Sequence, residues 1–126
     1  DLVMDWRGRL WPVEVNPRYT ASIEVIERAT DLATLASPRD AVARPAQKPT
    51  GVMHGKAILF AQANVRAGDL YDQLPNDQLA DVPDPGRLIS AGRPVCTIFA
   101  SAPRRDDCEK ALSDRAKCVY DALEAV

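Results

Sequence analysis

No apolar run in the 126-residue sequence approaches the ~20 residues that span a bilayer, and no secretory-signal pattern is present. No partner membrane is expected. Nor is there a basic tract: residues 1–48 hold seven acids and seven bases, and the net charge is −2. Nucleic-acid phosphates therefore have no footprint here. Histidine occurs once, as His54, and no G-x-S-x-G elbow accompanies it, which removes the usual Ser-His-Asp arrangement. The single imidazole is expected to be structural or solvent-facing. Cysteine occurs three times, without C-x-x-C spacing. An odd count in that pattern fits neither a disulfide framework nor a zinc site. Cys108 and Cys118 fall in one helical stretch, where ten residues rise ~15 Å, too far to bridge. Buried reduced thiols and a cytoplasmic setting are expected. A Walker-type loop is also missing: "GVMHGKA", Gly51 to Ala57, is one residue short between its glycines and has Ala57 where Ser or Thr holds Mg²⁺.

What is present fits a globular chain, with 46% hydrophobic and 27% charged residues. The fold class expected is α/β (α+β), in three parts. Residues 1–37 read as a β-hairpin and a helix. "DLVM" and "RLWPVEVN" flank "DWRG", whose Asp5 and Gly8 are turn formers. Pairing Met4 with Arg9 sets Leu2 against Trp11 and Asp1 against Pro12. Leu2, Met4, Trp11, Val13 and Val15 then form an apolar face expected to meet the core. Asp1, Val3, Leu10, Pro12, Glu14 and Asn16 share the other. Pro12, lacking an N–H, belongs at an edge or a non-bonding position. Thr20 or Ser22 caps a helix carrying Val25, Ile26, Ala29, Leu32 and Ala33 on its apolar stripe, with Glu24, Glu27 and Arg28 on the polar side. That helix should end near Ala36, before Pro38.

Residues 38–50, with three prolines, read as a linker. Residues 51–126 read as a small module of about three strands and a closing helix. "KAILFAQANV" (56–65) is a buried strand, with Lys56 at its surface start. A loop over 66–86 holds five aspartates, Asp69, Asp72, Asp77, Asp81 and Asp84, but lacks the glycine and terminal Glu of a calcium loop. "RLIS" and "PVCTIFASA" are further strands. The last helix follows Pro103, with Asp106 and Asp107 at its positive end and Cys108, Leu112, Ala116, Val119 and Leu123 as its stripe. Trp6 and Trp11 are expected to pack around the hairpin.

The constellation that calls for chemistry is Asp1, Glu14 and Asn16 on one hairpin face. Two carboxylates and an amide carbonyl are hard oxygen ligands of the kind that suit Mg²⁺ beside substrate phosphates. Arg18, two residues on, adds a bidentate fork for a carboxylate or phosphate. The competing reading is a solvated face with weak surface ion pairs.

"DLVMDWRGRLWPVEVNPRYTASIEVIE" resembles the C-terminal end of the ATP-grasp core, in which an acidic residue opens a hairpin whose return strand ends in E-x-N-x-R. The variant is most similar to ATP-dependent carboligases related to biotin carboxylase. "GKAILFAQANV" and "GRPVCTIFASA" with its helix resemble, more weakly, the small module that follows that core. The resemblance implies metal ligands Asp1, Glu14 and Asn16 for Mg²⁺ bridging the phosphates of ATP, and a catalytic Arg18 contacting a small carboxylate substrate. It also implies that this chain is a fragment of a ligase. The nucleotide-clamping lobes of that fold are absent from it, so that alone it would be inactive. The alternative is a non-enzymatic structural or interaction module.

Overall fold

The computed structural model describes residues 1–14, 19–30 and 51–126. Asn16 and Arg18, the linker at 38–50, and the expected helix end near Ala36 lie outside the described residues.

The chain opens with β1 (Leu2–Met4) and β2 (Leu10–Pro12), an antiparallel hairpin. Its turn fixes the register. Gly8 N donates to the Asp5 carbonyl at 2.9 Å and Asp5 N donates to the Arg9 carbonyl at 2.9 Å. Gly8 has φ 78°, a conformation that favours glycine. Gly8 and Arg9 thus both stand opposite Asp5, a bulged three-residue loop. The extra residue moves every later pair by one. Met4 meets Leu10, Val3 meets Trp11 and Leu2 meets Pro12, not the Met4–Arg9 register expected from the sequence. Counting alternate bonded pairs from Asp5–Arg9 leaves Pro12 at a position that needs no N–H. Leu2, Met4, Leu10 and Pro12 therefore share one face, and Val3 and Trp11 the other. Neither face meets the core: residues 1–14 are exposed except for Asp5.

Helix α1 (Ala21–Thr30) follows. Ile23 N bonds the Thr20 carbonyl at 2.9 Å, and the Thr20 and Ser22 hydroxyls are 3.1 Å apart. None of its side chains is fully buried, and Ile26 of the expected apolar stripe is exposed.

The remaining unit contains β3 (Met53–Phe60), β4 (Val65–Ala67), β5 (Leu79–Ala80), β6 (Leu88–Ile89), β7 (Pro94–Ala102), helix α2 (Arg105–Asp121) and β8 (Leu123–Ala125). Short 3₁₀ turns at Leu70–Asp72 and Asn76–Gln78 precede β5. One sheet has the order β3-β7-β5 and the other β6-β4-β8, and all their pairings are antiparallel. With the two described helices this is an α+β structure. The expected strand 56–65 is two elements. β3 starts earlier, at Met53, and its register slips between Leu59 and Phe60. The chain then crosses to the second sheet as β4. The segment 53–57 of "GVMHGKA" is strand, not a phosphate loop.

Helix α2 packs on the face of β3 and β7 that carries Gly55, Ala57, Leu59, Cys96, Ile98 and Ala100. Contact is close at Gly55, where a Cβ would lie 2.9 Å from both Cys108 Sγ and Leu112 Cδ1. Leu70, Ile98 and Val119 are among the most deeply buried core side chains. Each contributes ~1.5–3 kcal/mol through lost contact with water. Leu123, expected on the apolar stripe of this helix, is not on it. The helix stops at Asp121, and Leu123 pairs with Ala67 as part of β8. A strand, not the helix, closes the described fold.

Candidate functional site

The hairpin's open end is built by a second irregularity. Val13 N donates to the Asp1 carbonyl at 3.0 Å, and Asp1 N donates to the Glu14 carbonyl at 2.5 Å. Glu14 N also reaches the Asp1 carbonyl, at 3.5 Å. Two residues of the return strand thus oppose one, the pattern of a bulge. This matters because the observed register, continued by strict alternation, would set Asp1 opposite Val13 and part it from Glu14. The bulge brings Asp1 and Glu14 together at the backbone by a route that alternation alone does not offer.

A second place gathers more side chains. Alternation puts His54, Lys56, Phe99 and Ser101 on the face of β3 and β7 opposite α2, since Lys56 pairs with Phe99 and His54 with Ser101. Helix α1 lies on this face. Lys56 Nζ forms an ion pair with Glu24 Oε2, with side-chain exposures of 12% and 26%. Lys56, expected at a strand's surface start, is a mid-strand residue tucked under a helix. Glu24 and Arg28, expected on the helix's polar side, make contacts that dock it. The Arg28 guanidinium lies 3.8 Å from the Phe99 ring centroid, and Lys56 Nζ lies 5.7 Å from it. Arg28 also donates to the Asp77 carbonyl at 2.8 Å. From α2, Arg115 donates to the Phe99 carbonyl. Between these groups is an open cleft of about 90 Å³, lined by Arg28, His54, Asp77, Gln78, Ser101 and Arg115 over Phe99.

No protein-family model, curated protein or solved structure matches the chain.

Of the residues singled out in the sequence, Asp1 and Glu14 come together at the backbone, whereas Asn16 and Arg18 lie outside the described residues. Among the described residues no group of three or more His, Cys, Asp and Glu gathers as metal ligands. Two aspartates of the 66–86 loop, Asp69 and Asp81, have structural partners instead. Asp69 Oδ1 accepts from Tyr71 N at 3.0 Å. Asp81, at φ 55°, accepts from the buried Thr97 hydroxyl at 2.9 Å. The Phe99 cleft was missed by the sequence reading. Its one legible signal is an aromatic residue on the strand face away from the core stripe. Nothing in the spacing pairs Glu24 with Lys56, 32 residues on.

The thiols are all free, with Cys96 and Cys108 buried and Cys118 half-buried. Burial, reinforced by the nearby Asp81 charge, pushes the Cys96 thiol up to about 11. Among the described residues, no helix is long and apolar enough to cross a membrane.

Proposed function

We propose that this chain forms the C-terminal part of a cytoplasmic ATP-grasp carboxylate ligase. The carrying observation is the bulge that ties Asp1 to Glu14 at the open end of the hairpin. It supports the resemblance of the hairpin and its E-x-N-x-R strand end to the close of an ATP-grasp core. The exposed apolar residues of both hairpin faces agree with a strand pair that belongs to a wider sheet, since an isolated hairpin is marginally stable at best.

The donor chemistry fits Mg²⁺: two carboxylates, with the Asn16 amide, are hard oxygen ligands of the kind that share this ion with substrate phosphates. Asp1, Glu14 and Asn16 would hold it, and when bound it would offset the phosphate charge that develops as the acyl phosphate forms. The chain's own part is positioning. Arg18 orients the carboxylate or bicarbonate by paired N–H bonds, so that its oxygen meets the γ-phosphate of ATP. The new bond to the γ-phosphorus would replace its bond to ADP, which leaves, and a nucleophile would then displace inorganic phosphate from the acyl phosphate.

The test is acid-dependent ADP release by the full-length protein carrying this chain. Glu14→Gln should lower turnover by about 100-fold or more, the scale of losing one aligned charged group in a transition state. Unchanged turnover would sink the assignment. The exposed hairpin also favours a second reading, a non-enzymatic interaction module. That reading predicts no ADP release with any carboxylic acid, while partner binding survives Glu14→Gln.

A further inference from the structure

The cleft over Phe99 is cationic in an acidic chain. Two guanidiniums from different helices, Arg28 of α1 and Arg115 of α2, line it with the His54 imidazole of β3. Lys56 is close by, but Glu24 neutralises it. The hydrogen bonds of Arg28 and Arg115 go to the Asp77 and Phe99 carbonyls, which carry no formal charge. Asp77 supplies the one carboxylate of the lining. With His54 neutral, the lining sums to +1 (two Arg, one Asp), against −2 for the whole sequence.

Each guanidinium has five N–H donors, so donors remain after these backbone bonds. Both are also held in place. Arg28 sits over the ring of Phe99, a residue only 4% exposed, and its N–H grips the Asp77 carbonyl. Arg115 is tied to the strand backbone. Pinned side chains lose little further freedom when a ligand arrives. The Ser101 hydroxyl and the Gln78 amide are further neutral donors on the same rim. An open space of about 90 Å³ is enough for one oxyanion group.

We propose that this cleft is an oxyanion-binding site that takes a single phosphate or carboxylate group between Arg28 and Arg115. Planar guanidinium forks match paired oxygens of either group, whereas Lys would offer only a point charge. His54 and Ser101 close the site from the strand side. The site uses no residue of the hairpin end and stands apart from the ligase reading, so either can fail alone.

The experiment titrates the protein with inorganic phosphate and, separately, with acetate, at an ionic strength held constant with sodium chloride. The readout is the ring-proton resonance of His54, the sequence's single histidine. A saturable displacement is expected at millimolar probe, on the order of 4 kcal/mol of binding. Response to phosphate alone points to a phosphorylated ligand, and response to both points to a carboxylate; each supports the site. Arg28→Gln should weaken binding about tenfold, and Arg115→Gln likewise, while Lys110→Gln on the exposed side of α2 should not. Because Arg28→Gln also loosens α1, Arg115→Gln and the wild-type titration stand as independent checks. No saturable displacement with either probe, displacement matched by chloride, or unchanged affinity in Arg115→Gln would overturn the proposal.

Discussion

Asp5 is the residue on which the hairpin turn depends. Its Oδ1 accepts from Arg7 N at 2.9 Å and Arg9 N at 3.0 Å, and its Oδ2 accepts from Arg9 Nε at 2.8 Å. The Arg9 backbone N–H is the largest cause holding the carboxyl below its ordinary 3.8. A group with a depressed folded value stabilises the fold when ionised, and that contribution fades as pH falls from 3.8 through the lower folded value. The Arg7 and Arg9 amide resonances should therefore titrate together with a midpoint below 3.8. A midpoint at or above it would mean that the turn does not rest on this carboxylate. Cys96 offers a second check at this scale. With its thiol raised to about 11, almost no thiolate forms at pH 8, while Cys118 is half-buried. A thiol reagent at pH 8 should label Cys118 in the folded protein and reach Cys96 only on unfolding. Mass spectrometry of the labelled peptides would show the order.

Helix α1 shows why some elements could be read from sequence and others only in part. Its start at Ala21 agrees with Thr20, one of the two caps expected, and β7 and α2 follow from one long apolar run and one acid-led helical stripe. What holds α1 down was not legible. The stripe Val25, Ile26 and Ala29 implies apolar docking, yet the contacts that seat it are the Glu24–Lys56 ion pair and Arg28 on Phe99. Pairings over such separations are set by tertiary placement, which periodicity does not encode. The hairpin register failed for a local reason, since a bulge at Gly8 and Arg9 costs one residue that simple turn counting omits. The ion pair makes a prediction at the scale of the element. Glu24→Gln leaves a mostly buried ammonium without its partner, and should cost ~1–3 kcal/mol, below the ~3–5 of a fully buried pair because Glu24 is partly exposed. Lys56→Met in the same background should recover part of that loss, because the uncompensated charge is gone. Thermal unfolding of the two single variants and the double variant measures both effects. Gly68 marks a tighter contact, where a Cβ would meet the Ala122 carbonyl oxygen at 2.5 Å. Backbone cannot swing aside as a side chain does, so Gly68→Ala should lower stability by ~1–3 kcal/mol, read in the same melts.

At the scale of the molecule the described structure has two unequal parts. The unit from β3 to β8 has a buried core that ends on Val119 and Ile98. The hairpin has none: Leu2, Met4, Trp6, Leu10 and Val13 are all more than 60% exposed. Its order rests on the Asp5 turn, the bulge at Asp1 and two cation–π contacts, Arg7 on Trp6 at 4.4 Å and Arg9 on Trp11 at 5.7 Å. Exposed contacts of that kind supply ~0.5–1 kcal/mol each, far less than a core. Both tryptophans of the sequence are in this hairpin, so tryptophan emission reports on it alone. Far-ultraviolet circular dichroism is dominated instead by α2 and the two sheets. A single cooperative unit would give coincident transitions by the two probes. Here the expected outcome is separation. Tryptophan emission should already be that of a water-exposed indole without denaturant, should be quenched freely by iodide, and should change little across the main transition that the dichroism reports. Coincident transitions, or tryptophans shielded from iodide, would mean that the hairpin is covered and folds with the core. In the longer protein that the ligase reading proposes, with further strands beside β1 and β2, the same tryptophans should become shielded and blue-shifted. Comparison of the two chains by iodide quenching therefore tests whether the exposed hairpin faces are a surface of the molecule or the interior of a larger one.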